Sequence, residues 1–388
     1  MARDGSIYLD HAATTAVDDA VLAAMLPYLR SDFGNPSSVH RLGQSARRGV
    51  EAAREAVART LDVRPRQVVF TSGATEADDQ AVFSTLAERP GGLVVSAVEH
   101  AAVIAAARRL AAAGRDVTFV PPEPSGATSL AAWEGALAEQ AGRGGTALVA
   151  GMLVNNETGA LADAAAIGAL AHRFGALYLC DAVQGYGLEE FTLASLGADL
   201  VTVSAHKVYG PKGAGALVMR DGLAVAPMLA GGEQERGHRP GTHAVPAIVG
   251  FGAAAALAAA GRAAERARLA ELQRAFESVV LALSGVSLNG AGAVRSVKHT
   301  NVRVAGADGE TLLMLLDEAG VYASAGSACA AGSVEPSHVL LAMGLDRGEA
   351  RASVRFSFGR AVGLEDVLEA ARRLETAVER ARAVAARG

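Results

Sequence analysis

Apolar residues come in short unbroken runs over the first two thirds of the chain, and each run gives way to a stretch with helical spacing. Residues 67–70 predict a strand, followed by the polar TSGATEADD and an amphipathic helix from about Glu76. Residues 93–96 predict the next strand, then VEH and a helix to about Ala113. Further strands are predicted at 117–120, 146–154, 176–180, 200–204 and 214–219. Strands that are apolar along their whole length are buried on both faces, with the intervening helices as cover. The pattern therefore predicts an α/β region with a mainly parallel sheet.

The pattern changes after about residue 260. A charged helix is predicted over 262–283, short strands near 300–304 and 353–357, and helices near 310–319 and 364–385. That mixture reads as a smaller α+β unit. The expected division is a large domain over 15–255 and a small one from 1–14 and 256–388, with a ligand cleft between them. Residues 244–261 lack any charge and just reach membrane-span length. Their many alanines, Pro246 and the flanking Arg239 and Arg262 favour a buried helix, so no membrane association is expected.

Charge narrows the function. Lys and Arg number 36 against 41 Asp and Glu, a net of −5, which leaves no domain-wide positive field for nucleic acid. Two cysteines, Cys180 and Cys329, make neither a disulfide framework nor a thiolate metal site, and no metal is expected. With no apolar stretch behind the first residues, a cytoplasmic protein is expected.

Polar groups cluster just after the predicted strands: Ser72 to Thr75, Glu99-His100, Asn155-Asn156, Asp181 with Gln184, and Ser204 with His206-Lys207. In an open parallel sheet the strand ends face one crevice, so these residues are expected to share a pocket. Singly, each is also a plausible cap or turn residue. TSGATE before a helix suits a phosphate, or else Thr71 or Ser72 simply caps the helix. It lacks nucleotide P-loop spacing, and no GxGxxG follows the first strand. Lys207 precedes a glycine-rich turn, which favours a lysine nucleophile or base over a solvated charge, while Lys212 reads as a loop charge. Asp181 ends a strand, where it either holds a protonated ring nitrogen or caps the next segment. Cys329 sits in GSACAAGS and reads as the reactive thiol, with Cys180 packed in an apolar run. Arg355 either forks onto a carboxylate or packs.

The chain resembles the NifS/IscS-like cysteine desulfurases of the class-V pyridoxal-phosphate-dependent aminotransferase family. The resemblance is carried by YLDHAATT at 8–15, FGNPSSVHRLG at 33–43, FTSGATEA at 70–77, VEHAAV at 98–103, NNETG at 155–159, DAVQ at 181–184, SAHKVYGPKGAGAL at 204–217, GGEQERGHRPGT at 231–242, SAGSACAAGSVEPSHVL at 324–340 and SVRFSFGR at 353–360. It runs nearly end to end, and the Cys329 segment looks like the long-loop subgroup. Departures fall at Ala16, Asp78-Asp79, His238 and His243-Ala244.

The resemblance implies the fold type I architecture of pyridoxal-phosphate enzymes, a large α/β domain plus a small α+β domain. It implies pyridoxal 5'-phosphate as cofactor, bonded covalently to Lys207. His100 would stack on the ring and assist proton transfer, Asp181 would pair with the ring nitrogen, and Gln184 with the ring hydroxyl. Ala74, Thr75, Ser204 and His206 would hold the phosphate and ring edge. Thr242 would reach the neighbouring subunit's phosphate, which implies a homodimer. Asn156 would contact cofactor and substrate, and Arg355 the carboxylate of L-cysteine. Cys329 would accept the sulfur and pass it to an acceptor protein such as an iron–sulfur scaffold. A related lyase or true aminotransferase, or a non-enzymatic scaffold on the same fold, are the competing readings; an acceptor thiol is needless in the second, and loss of Lys207, Asp181 or Cys329 would mark the third.

Overall fold

The computed structural model describes residues 5–223, 225–325 and 335–386. The chain starts with β1 (Ile7–Tyr8), then helices α1 (Asp19–Arg30) and α2 (Arg41–Thr60). An alternating stretch follows: β2 (Val68–Thr71), α3 (Ala74–Glu88), β3 (Gly92–Ser96), α4 (Ala101–Ala112), β4 (Val117–Val120), α5 (Leu130–Ala141), β5 (Thr146–Ala150), α6 (Ala164–Arg173), β6 (Leu177–Asp181), β7 (Leu200–Ser204) and β8 (Gly215–Met219). The long α7 (Val245–Val280) leads into β9 (Val286–Leu288), β10 (His299–Val304), α8 (Gly309–Glu318) and β11 (Val321–Tyr322). The chain closes with α9 (His338–Ala342), α10 (Arg347–Arg351), β12 (Ser353–Ser357) and α11 (Leu364–Ala385).

Seven strands form one sheet in the order β2-β8-β7-β6-β5-β3-β4. Only β8 runs against its neighbours β2 and β7, so the carboxyl ends of the other six share one side. Strands β2, β3, β5, β6, β7 and β8 are buried at every position, because helices cover both faces. The predicted strand over 146–154 stops at Ala150; the apolar residues that follow are buried in the turn that leaves the sheet.

The buried helix expected over 244–261 and the charged helix expected from 262 are one helix, α7, which begins at Val245 and runs without a break through residue 255. Its first half carries Val245, Ile248 and Phe251 into the core of the large sheet. Its second half carries Leu269, Leu272 and Phe276 into a second core with β10, β12, α8 and α11. Small residues allow this helix to approach α2 closely: a Cβ on Gly252 would lie 2.5 Å from Ala53 Cα. The helix is long and apolar enough by composition to span a membrane, but these contacts make it the spine of both cores. In the second core Phe276 is fully buried, with ring centroids 4.9 Å from Phe356 and 5.5 Å from Phe358. Truncating it to alanine costs roughly 3–5 kcal/mol. The amino-terminal strand β1 pairs in parallel with β11, which ties the start of the chain to this second core.

Candidate active site

The strand ends converge, as the sequence pattern predicts. A cleft of about 470 Å³ is lined by Ala74, Thr75, His100, Asn156, Asp181, Gln184, Ser204, His206, Lys207 and Arg355, with Ala12, Ala13 and Lys212 beside them. Thr242 lies outside this cleft and is exposed. Cys329 falls outside the described residues.

The turn from β2 into α3 leaves a helix start open. Thr71 Oγ1 donates to Gly73 O at 2.8 Å, and Ser72 N donates to Glu76 Oε2 at 2.8 Å. Neither Thr71 nor Ser72 caps α3; its N-cap is Gly73, without any side-chain cap. The first N–H groups of α3 are thus left for an anion, at the positive end of the helix dipole. A Cβ on Gly73 would meet nothing within 4 Å. A Cβ on Gly215 would lie 2.6 Å from Gly73 C, so glycine there lets the turn rest against β8.

His100 caps α4, its Nδ1 accepting from Ala102 N at 3.2 Å, which leaves Nε2 as the protonated ring nitrogen. In NNETG the two asparagines divide the work. Asn155 Oδ1 accepts from Glu157 N and Thr158 N, both at 2.9 Å, and builds the turn. Asn156 lines the cleft with a buried Oδ1 that has no partner among the described residues.

Asp181 ends β6, where Oδ1 accepts from Val183 N at 2.9 Å. Burial raises its carboxyl above the usual range, while His100 and Lys207 oppose the rise. Behind it lie two further acids. Thr202, in register with Asp181, donates from Oγ1 to Asp78 Oδ1 at 2.7 Å. Glu99 accepts from Met152 N through Oε1. Asp78 Oδ2 and Glu99 Oε2 are buried without partners among the described residues. Burial and then the charge of Asp181 push both acids well above the ordinary carboxyl range.

Lys207 closes the short 3-10 turn after β7. Its Nζ donates to Ala12 O at 2.6 Å and Ala13 O at 2.8 Å, and Gln184 Nε2 donates to Ala12 O at 2.9 Å. Thr15 binds the lysine turn through its hydroxyl, giving to His206 O at 2.8 Å and accepting from Tyr209 N at 2.8 Å. His206 Nδ1 lies 3.1 Å from Thr14 Oγ1. Burial, with Lys207, Lys212 and Lys298 nearby, lowers His206 to about 4, so the ring is neutral at neutral pH.

Arg355, on β12, is almost wholly buried. It donates from Nη1 to Asn156 O and from Nη2 to Asp10 Oδ1, each at 2.8 Å, and its Nε has no partner among the described residues. It is therefore neither a surface arginine nor one packed for bulk alone. Lys298 is a buried lysine whose ammonium is pushed down to about 7 by burial, with Lys207 and Arg355 adding repulsion. Cys180 is the buried free thiol, and burial pushes its pKa up.

Sequence reasoning gave no role to Asp10, Ala12 or Lys298, named Asp78 only as a departure from the family pattern, and expected Glu99 in the shared pocket, whereas Glu99 is buried and does not line the cleft. For the first two the signal was YLDHAATT, a polar cluster right after a short apolar strand. Lys298 carries no such signal, since a lone lysine looks like a surface residue.

The arrangement offers an anion seat, a carboxylate for a cationic nitrogen, an amine and a guanidinium within one cleft. Comparison with known proteins agrees with that chemistry. Residues 7–369 match the family described as aminotransferase class-V. Cysteine desulfurase 2 of Trichormus variabilis is 39% identical over 380 residues, 97% of this chain and 94% of its own length. A solved NifS-like protein is 32% identical with a TM-score of 0.89, covering 96% of this chain and 99% of its own. SspA, solved in complex with cysteine, is 33% identical with a TM-score of 0.79, covering 90% and 98%.

Proposed function

The chain belongs to the class-V aminotransferase family, and we propose that within it the protein is a pyridoxal-phosphate-dependent cysteine desulfurase. It takes sulfur from L-cysteine, leaves L-alanine, and carries the sulfur as a persulfide on Cys329 to an acceptor protein. The supporting observation is the set of polar groups facing one cleft that have no partner among the described residues: Ser204 Oγ, Asn156 Oδ1, Gln184 Oε1, Arg355 Nε and the uncapped start of α3. Buried polar atoms without partners are rare, and here they fit the cofactor's phosphate, ring and substrate.

Ala74, Thr75, Ser204 and the neutral His206 would hold the phosphate and ring edge. Asp181 would hold the ring nitrogen with its proton, and Gln184 the ring hydroxyl. His100 would cover the ring. Bound pyridoxal phosphate supplies an electron-withdrawing ring that stabilises negative charge at the substrate's Cα.

Arg355 holds the substrate carboxylate and so orients the Cα–H bond. Lys207, as a free amine, removes the Cα proton and serves as the local proton carrier. Cys329 attacks the substrate sulfur as a thiolate. The Cβ–S bond breaks as the S–S bond forms, and its electron pair stays with the carbon skeleton. Proton return to that skeleton gives alanine. The net change is cysteine plus enzyme thiol to alanine plus enzyme persulfide, with no outside oxidant.

The protein acts as a cytoplasmic homodimer in which Thr242 reaches the neighbour's phosphate. Exposed Leu22, Leu26, Leu29 and Phe33 on and beside α1, and Met228 and Leu229 near the Thr242 segment, support an apolar partner surface. The reading is tested by adding pyridoxal phosphate to the apo-protein. A visible absorption band that survives gel filtration is expected in the wild type and not in Lys207→Ala. A wild-type protein that stays colourless contradicts the reading.

A further inference from the structure

β2 is an edge strand of the large sheet, with β8 on one side and, among the described residues, no strand on the other. A bare edge leaves main-chain N–H and C=O groups unpaired. Here side chains close it. Glu235 Oε2 accepts from Phe70 N at 2.9 Å. Arg54 Nη1 and Arg236 Nη2 both donate to Val68 O, at 2.9 and 2.8 Å.

Glu235 is the hub of this arrangement. It accepts from Arg54 Nη1 at 2.6 Å and Nη2 at 2.8 Å, and from His243 Nε2 at 2.7 Å. The carboxylate is nearly inaccessible, at 1% exposure, and Arg54 is 2% exposed. Burial opposes its ionisation, yet the hydrogen bonds of Arg54 and His243 hold its carboxyl down to about 2. Glu235 and Arg236 both adopt the left-handed backbone, with φ of 50° and 59°. Non-glycine residues hold that conformation only when their surroundings fix it.

Two distant segments meet at this carboxylate. Phe70 immediately precedes Thr71, where the turn into α3 opens. His243 immediately follows Thr242. We propose that Glu235 is a positioning residue that locks the phosphate turn 71–75 and Thr242 into one geometry, so that each protomer's own phosphate turn is coupled to the residue it lends its neighbour. The proposal rests on the dimeric pyridoxal-phosphate reading and adds this coupling to it.

The test is an absorbance titration of apo-protein with pyridoxal phosphate for the wild type, Thr242→Ala, Glu235→Gln and the double variant. Tryptic cleavage at Arg236–Gly237 is followed without cofactor as a second readout. Glu235→Gln is expected to weaken cofactor affinity about tenfold or more, the scale of one lost charge-assisted hydrogen bond, and to speed the cleavage. Thr242→Ala is expected to weaken affinity in the wild-type background and to add much less in the Glu235→Gln background. Unchanged affinity in Glu235→Gln, or an equal loss from Thr242→Ala in both backgrounds, overturns the proposal. If Glu235→Gln does not fold, His243→Ala removes one bond at the rim and keeps the Arg54 pair. It should then weaken affinity and shrink the Thr242 effect, and no change in either overturns the proposal. Failure of the underlying reading looks different: the wild type takes up no pyridoxal phosphate, or Thr242→Ala in the wild-type background has no effect, and the proposal falls with it.

Discussion

Lys207 and Ala12 meet across 195 positions of sequence: the lysine Nζ donates to the alanine carbonyl at 2.6 Å, and Gln184 donates to the same oxygen at 2.9 Å. One wall of the cleft is therefore the amino-terminal segment, held against the lysine turn by Thr15. The amine would have to leave these carbonyls to hold a cofactor, and they would be there to receive it on its release.

Lys207→Ala is expected to keep the fold and lose the covalent link to pyridoxal phosphate. Alanine formation should fall on the order of 10²–10⁴-fold through loss of the general base alone. Steady-state assay with circular dichroism as a fold control checks this. Full activity in that variant would remove Lys207 from the reaction.

Arg355 is expected to act mainly on substrate binding. Arg355→Gln removes charge-assisted hydrogen bonds of about 1.5–3 kcal/mol, so KM for cysteine should rise about 10–100-fold. Asp10→Asn removes its ion-pair partner at 2.8 Å and should raise KM less. A kcat effect with KM unchanged would contradict this role.

The buried acids predict a stability that depends on pH. Asp78 faces Asp181, Thr202, Glu99 and Asp79, and its folded pKa lies well above the unfolded value. A carboxyl of that kind binds its proton more tightly when folded. Its contribution is fully present below the unfolded pKa of about 4 and is lost as pH rises through the folded value. Asp78→Asn should therefore gain about 1–3 kcal/mol over the wild type at pH 8, and the gain should vanish toward pH 4. Thermal melts of the apo-protein across pH check it; a gain independent of pH would contradict the buried-acid account.

The two thiols should separate cleanly. Cys180 is inaccessible and its thiol is pushed up by burial, so the native protein should take up at most one alkyl group per chain. That group should map to Cys329. Cys329→Ser should keep the cofactor and lose sulfur transfer, while Cys180→Ser should keep both. Native alkylation at Cys180 would contradict the structure.

Much of this was legible in sequence for definite reasons. β7, β12 and α11 were located because buried strands are apolar throughout and the last helix keeps a regular charged face. The strand-end rule then placed Asn156, Asp181, Ser204 and Lys207 in one cleft. α7 was read as two helices, a buried one over 244–261 and a charged one from 262, because its composition changes there from apolar all round to charged; Gly252 and its alanine neighbours pack against α2 rather than showing a polar face. The strands β1 and β11 are two residues each and make sense only as a pair. Asp10 and Ala12 escaped notice because their partners lie far along the chain. The uncapped start of α3 removed one of two local alternatives, a helix cap by Thr71 or Ser72, since both bond elsewhere in the turn.

The most direct test is mass spectrometry of the pyridoxal-phosphate-loaded protein after one equivalent of L-cysteine, with alanine quantified in the same sample. The account predicts one alanine per sulfur taken up, and the mass of a single sulfur atom added at Cys329. Pyruvate and free sulfide in place of alanine, or alanine formed at full yield by Cys329→Ser, would contradict it.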